Sequence, residues 1–211
     1  MQDLLDNIYQ YSEKQSKHAD PLLMEIERAT HLNTLAPRML SGHLQGSFLT
    51  MLSKLKQPDI ILEIGTFTGY SAICLAKGLK PGGKLYTIEY DPQHAELAGS
   101  FIGKSAFASD IEILIGDARE VIPEMDVRFD LVFIDADKES YSQYYDLVID
   151  HCNSGALILA DNVLWSGKVL DEIKDNKTQC IHDFNNKILN DPRVENLILP
   201  LRDGINMIRK I

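Results

Sequence analysis

The sequence predicts an α/β fold: a Rossmann-like, doubly wound, mostly parallel sheet, closed by an antiparallel C-terminal hairpin and preceded by extra N-terminal helices. Three observations carry this expectation. Short apolar runs alternate with stretches of helical periodicity from residue 58 onward. Each of the first five runs ends in or beside an acid. The last two runs lie too close together to be parallel neighbours.

The elements follow in order. Leu4, Leu5, Ile8 and Tyr9 recur at helical spacing, and Leu22, Leu23, Ile26 and Ala29 do so after Pro21. The parallel runs are 60–64, 84–89, 111–115, 131–135 and 156–161, with helices expected at 71–79, 92–107 and 140–152. Runs that are apolar throughout and alternate with helices belong to a parallel sheet covered on both faces. The runs 194–200 and 205–211 are separated only by Leu201-Arg202-Asp203-Gly204. A crossover between parallel strands needs a dozen residues or more, so this pair is antiparallel. No repeat, linker or low-complexity tract interrupts the chain. A single domain over 1–211 is expected, with a helical segment at 1–57 and the sheet core at 58–211.

Composition narrows the function. The 211 residues, 45% hydrophobic and 25% charged, suit one α/β domain. A net charge of −10 argues against binding nucleic acid through its phosphates and against docking on an anionic membrane. With no long apolar run and no secretory signal, the expected address is the cytoplasm. Cys74, Cys152 and Cys180 are odd in number and widely spaced, so neither a disulfide framework nor a zinc knuckle is expected. Cys74 reads as core. The six histidines contain no H-x-x-x-H pair.

The acids at the ends of the parallel runs are Glu63, Glu89, Asp117, Asp135 and Asp161. One such carboxylate commonly caps the next helix. Five along the edge where open α/β sheets bind ligands read as a functional edge. After the first run come Gly65 and Gly69, giving G-x-x-x-G. This lacks the middle glycine of a dinucleotide fingerprint and the Gly-Lys-Ser/Thr ending of a phosphate loop, which disfavours NAD and ATP. Glu63, before the first glycine, suits a ligand carrying an ammonium group. Glu89 suits the two hydroxyls of a ribose. S-adenosylmethionine, an amino-acid-bearing nucleoside without phosphates, meets both demands.

If the fourth and fifth runs are neighbours, Asp135 and Asp161 project from tips about 5 Å apart. Carboxylates that close repel unless a proton or cation lies between them. Asn162 adds a neutral oxygen, and an all-oxygen set selects a hard ion such as Mg²⁺, Mn²⁺ or Ca²⁺. About three octahedral positions then remain for water or substrate.

The segments MLSGHLQGSFLTML, LEIGTFTGYS, YTIEYD, GDA, FIDADKESY, ADNVLWSG and LPLRDGINM, in that order from about Met39 to the C-terminus, resemble the cation-dependent O-methyltransferase family. This family of class I S-adenosylmethionine-dependent methyltransferases contains the catechol and caffeoyl-CoA O-methyltransferases. The resemblance implies cofactor contacts at Glu63, Gly65, Thr66 and Ser71, with Ser41 approaching from the N-terminal segment. It puts the ribose on Glu89, the adenine side on Asp117 and Ala118, and Asp137 beside the cofactor. It implies metal ligands at Asp135, Asp161 and Asn162, a catalytic lysine at Lys138, and a homodimer. Departures are Ala136-Asp137 where the animal catechol enzyme resembles His-Trp, Ser166 where plant members have Asn, and Gln45-Gly46-Ser47 for Glu-Gly-Gln. They draw the chain toward the caffeoyl-CoA and bacterial branch and leave the acceptor open.

The expected reaction is methylation of a small phenolic acceptor with two adjacent hydroxyls, assisted by a divalent cation. Trp165 and either Tyr141 or Tyr144 are candidate walls for an aromatic acceptor, with core packing the equal alternative for the tyrosines. Two rival readings stand beside this one. The first is a methyltransferase acting on RNA or protein; the second is a non-catalytic S-adenosylmethionine-binding regulatory protein.

Overall fold

All five apolar runs become parallel strands in the computed structural model, which describes residues 2–17 and 20–211. They are β1 (Ile60–Ile64), β2 (Lys84–Glu89), β3 (Ile111–Ile115), β4 (Phe129–Ile134) and β5 (Cys152–Asp161). With β6 (Val194–Leu199) and β7 (Ile205–Lys210) they form one sheet in the order β3-β2-β1-β4-β5-β7-β6. β7 runs antiparallel to both β5 and β6. The strand order reverses between β1 and β4, and this is the switch point at which such sheets bind ligands. β5 begins at Cys152 rather than at 156. Its first residues, Cys152-Asn153-Ser154-Gly155, carry no apolar run, but a register shift still pairs Cys152 with Phe129.

The helices are α1 (Gln2–Gln15), α2 (Pro21–Asn33), α3 (Gly42–Lys56), α4 (Tyr70–Ala76), α5 (Pro92–Ile102), α6 (Ala118–Val121), α7 (Tyr141–Ile149) and α8 (Asn176–Leu189). Asp20 and Asp91 cap α2 and α5, each followed by proline at the first helical position. The stretches expected at 71–79 and 92–107 stop early, ahead of Gly78 and at Gly103 respectively. α8 is absent from the sequence reading, although Asp175 caps it through Thr178 N at 2.8 Å. Its polar composition, NKTQCIHDFNNKIL, hides a narrow apolar stripe of Ile181, Phe184 and Ile188.

Alternation along the strands feeds two cores. Leu62, Ile64, Val132, Ile134, Ile158 and Ala160 face α6, α7 and α8. Ile61, Leu131, Phe133 and Leu159 face the α2–α5 side. Fully burying each aliphatic side chain is worth about 1.5–3 kcal/mol, so this two-sided burial fixes the register that levels the strand tips. Cys74 and Cys152 are buried in these cores, and burial pushes both thiols up to about 12. The three cysteines are free. Among the described residues no helix is long and apolar enough to cross a membrane. His18 and the side chain of Leu5 lie outside the described residues.

Candidate active site

Two adjoining cavities open at the carboxyl ends of the parallel strands. One, of about 580 Å³, takes in Ser41, Thr66, Ser71, Lys138, Asp161 and Asn162. The other, of about 510 Å³, takes in Glu89, Asp117, Ala118 and Tyr144. Gly65, Asp135 and Asp137 belong to both. The structure thus gathers the candidate cofactor, metal and catalytic residues along one edge, except that Glu63 sits behind the wall and has no exposed surface.

Glu63 lies beneath the turn that follows β1. Thr87 Oγ1 donates to its Oε2 at 2.6 Å, and the Thr87 and Thr66 hydroxyls are 2.6 Å apart. Among the described residues Oε1 has no hydrogen-bond partner. The Ser71 hydroxyl lies close enough to weigh on the carboxyl without closing that bond. Burial pushes Glu63 up to about 8, with the charges of Asp135 and Glu89 acting in the same direction. An unpartnered buried acceptor behind Ser71 is what an ammonium-bearing ligand would satisfy.

Glu89 closes β2 with both oxygens engaged. Oε2 accepts from Phe67 N at 2.7 Å and Oε1 from Asp91 N at 3.0 Å. Each oxygen keeps lone-pair capacity for hydroxyl donors. Phe67 adopts a left-handed backbone (φ 50°) to make its bond, and its ring meets the His94 imidazole edge-on at 5.0 Å. Asp117 is a helix cap: it accepts from Arg119 N at 2.9 Å, and the Arg119 guanidinium holds its carboxyl below the usual range. Gly65 has φ +103°, and a Cβ there would lie 2.1 Å from the Asp135 carbonyl oxygen. The neighbouring strand therefore demands this glycine, whatever the ligand does.

The other half of the edge is the junction of β4 and β5. Ile134 pairs with Ala160, so the next residues, Asp135 and Asp161, leave the sheet level with each other. Asp161 is buried, and burial together with the Asp135 charge pushes it up to about 6. Its Oδ1 accepts from Asn162 N at 2.8 Å and its Oδ2 from Gln45 Nε2 at 2.7 Å. Lys138 Nζ donates to Asp135 Oδ1 at 2.9 Å and to the Tyr141 hydroxyl at 2.5 Å. That hydroxyl is within reach of the carbonyls of Ile134 (3.1 Å) and Asp161 (2.9 Å), so it ties the two tips together.

Among the described residues no group of three or more His, Cys, Asp or Glu forms a metal cluster. The candidate centre is two carboxylates and an amide. Its donors are all oxygen, which fits a hard divalent cation. The Lys138 ammonium already offsets the charge of Asp135, and an ion there would share that carboxylate with it. Asn162 takes a left-handed backbone (φ 60°), which asparagine tolerates better than most residues. The loop after it is clamped to the β6–β7 turn, Val163 N to Gly204 O at 3.1 Å and Leu164 N to Asp203 O at 2.9 Å.

Several features escaped the sequence. Gln45, from α3, is fully buried against Asp161. Tyr141 is a core tie packed edge-on against Phe184 at 5.5 Å, not a cavity wall, and Tyr144 lines the Glu89 cavity rather than the one holding Trp165. The net negative charge does not extend to the larger cavity, whose wall carries Arg38, Lys168, Lys177 and Arg202. The R-D-G turn between two apolar runs was the available signal for Arg202.

The O-methyltransferase family matches this chain over residues 13–211. A catechol O-methyltransferase of Niastella koreensis is 43% identical over 132 residues, spanning 61% of this chain and 60% of that protein. The catechol O-methyltransferase of Mycobacterium tuberculosis is 40% identical over 157 residues, 74% of this chain and 71% of that one. The solved structure of the O-methyltransferase TomG from Streptomyces achromogenes, in complex with SAM, has a TM-score of 0.90 at 30% identity and covers 97% of this chain and 96% of that one. The chain belongs to the O-methyltransferase family and is an S-adenosylmethionine-dependent O-methyltransferase.

Proposed function

We propose that this enzyme methylates one hydroxyl of a small catechol-like acceptor, a vicinal diphenol, with a divalent cation held by Asp135, Asp161 and Asn162. Mg²⁺ is the favoured ion, with Mn²⁺ or Ca²⁺ as substitutes. The observation that carries the reading is the pair of level strand-tip carboxylates, one of them buried, at the junction of two cavities. Phenols have a pKa near 10, so ionising one at pH 7 costs about 4 kcal/mol. A cation held by these three residues would supply charge stabilisation for a phenolate and would favour acceptors with a second, adjacent hydroxyl.

The chain's own residues account for the remainder. Lys138, with Nζ 2.9 Å from Asp135, is assigned the phenolic oxygen: as an ammonium it partners the oxyanion, and only as the neutral amine does it accept the proton. Glu89 is assigned the ribose of the cofactor. Asp117 and Ala118 are assigned its adenine side. Glu63, Gly65, Thr66 and Ser71 take its amino-acid end, with Ser41 and Asp137 alongside. Trp165 flanks the acceptor. A cavity of about 580 Å³ falls in the range of small-molecule sites, which favours this acceptor class over RNA or protein.

The test is a methylation assay with labelled cofactor and Mg²⁺, comparing vicinal diphenols with their singly hydroxylated analogues. The diphenols should react at least about tenfold faster, a difference of about 1.4 kcal/mol in the barrier. Equal rates would count against chelation.

A further inference from the structure

Gln45 belongs to α3, 116 residues before Asp161, yet its side chain is buried against that acid. Its Nε2 donates to Asp161 Oδ2 at 2.7 Å, and its Oε1 accepts from Arg202 at 3.1 Å. Arg202, in the turn between β6 and β7, also donates to the Ser41 carbonyl. A guanidinium can only donate, whereas an amide has one donating and one accepting end. With its oxygen engaged by Arg202, the Gln45 amide must turn its NH₂ toward Asp161.

We infer that Gln45 is a positioning residue for the divalent-cation centre, oriented by Arg202 and acting through Asp161. The inference rests on the cation reading proposed above. Both oxygens of Asp161 then carry one N–H each, Oδ1 from Asn162 N and Oδ2 from Gln45. The carboxylate is held against rotation, and each oxygen keeps lone-pair capacity for an incoming ion. Because Gln45 is neutral, it fixes the ligand without adding a third negative charge beside Asp135 and Asp161. Partners that hold ligating carboxylates in this way are commonly worth 10–100-fold in metal affinity.

The experiment measures Mn²⁺ binding to the whole chain by electron paramagnetic resonance or calorimetry, without cofactor or acceptor. Gln45→Met keeps the side-chain length and removes both of its hydrogen bonds; Arg202→Met removes the orienting contact, together with the bond to the Ser41 carbonyl, and leaves the Gln45–Asp161 bond able to form. Gln45→Met should raise the Mn²⁺ dissociation constant by roughly 10–100-fold. It should leave the S-adenosylmethionine affinity of the metal-free protein unchanged, which a general loosening of the fold would not. Arg202→Met should weaken Mn²⁺ binding in the parent but add no further loss in the Gln45→Met background, because both act through one amide. Parental Mn²⁺ affinity in Gln45→Met, or fully additive losses in the double variant, would overturn the inference and leave the cation reading standing. A parent chain that binds no Mn²⁺ would overturn both. Should Gln45→Met fail to fold, Arg202→Met at the exposed turn decides alone, and unchanged Mn²⁺ affinity there overturns the assignment.

Discussion

At the ends of β1 and β2, two acids are held by groups of those two strands and the turns that follow them: Glu63 by the Thr87 hydroxyl, and Glu89 by the backbone N–H groups of Phe67 and Asp91. At the ends of β4 and β5, two acids are held by long polar side chains: Asp135 by Lys138, three residues on, and Asp161 by Gln45 of the distant α3, itself held by Arg202 of the hairpin turn. The first half is built by hydroxyls and fixed peptide dipoles, which engage both oxygens of Glu89 and one of Glu63, leaving Glu63 Oε1 for the ligand. The second half brings two carboxylates level and offsets them with one ammonium and one amide. A preformed binding surface and a charge-hungry centre thus share Gly65, Asp135 and Asp137 while using almost separate sets of groups.

The sharpest way to break this comparison is to disable one half and read both. Asp161→Ala, or removal of divalent ions with EDTA, should lower methyl transfer by roughly a thousandfold, equivalent to about 4 kcal/mol. S-adenosylmethionine affinity, measured on the same EDTA-treated sample, should stay within about twofold, and adding back Mg²⁺ should restore turnover of the parent. Full activity without any divalent ion would make the Asp135/Asp161/Asn162 cluster structural. A parallel collapse of cofactor affinity would show that the two halves are one unit.

A second test concerns the buried acid of the first half. Burial holds Glu63 at about 8 in the folded chain against 4.5 ordinarily. The native state therefore binds the proton more tightly than the unfolded chain does. Its stability is undiminished below pH 4.5, falls as pH rises from 4.5 toward 8, and levels off above. Glu63→Gln should flatten that decline, which at 1.36 kcal/mol per pH unit amounts to roughly 3–5 kcal/mol across the window. Denaturant unfolding at several pH values checks this; identical slopes for parent and variant would mean that Glu63 is solvated or paired in solution.

The same contrast explains what the sequence could reveal. The strands were legible because parallel core strands are continuous apolar runs, and the acids because each stands directly at a run's end. Asp135 and Asp161 could be paired from the assumption that their strands are neighbours, which the sheet order bears out. Gln45 and Arg202 were not legible as partners, since 157 residues separate them and only the folded packing of α3 against the hairpin turn joins them. α8 was missed because its buried stripe is narrow and its exposed face is polar, so no apolar run marks it. Tyr141 stays open between cavity wall and core in the sequence, because an aromatic residue near a site is ambiguous until its burial is known; the structure places it in the core.

Glu89→Gln is the mildest change and the most discriminating for the first half. The substitution keeps the shape of the side chain and one oxygen acceptor, but it removes the charge and turns one acceptor into a donor. Because Phe67 N and Asp91 N both point at the native carboxylate, the new NH₂ group must face one of these N–H donors or turn toward the cavity. In either orientation a ribose hydroxyl loses a charge-assisted bond. The expected cost is about 2 kcal/mol, or about thirtyfold in the dissociation constant for S-adenosylmethionine. Mn²⁺ affinity should not change, and turnover at saturating cofactor should fall little, since no group at the β4–β5 junction is touched. Calorimetry that finds unchanged cofactor affinity would remove Glu89 from the binding site. A drop in Mn²⁺ affinity would instead show that the ends of β2 and β4 communicate through the shared wall at Gly65 and Asp135, and the division into two halves would have to be given up.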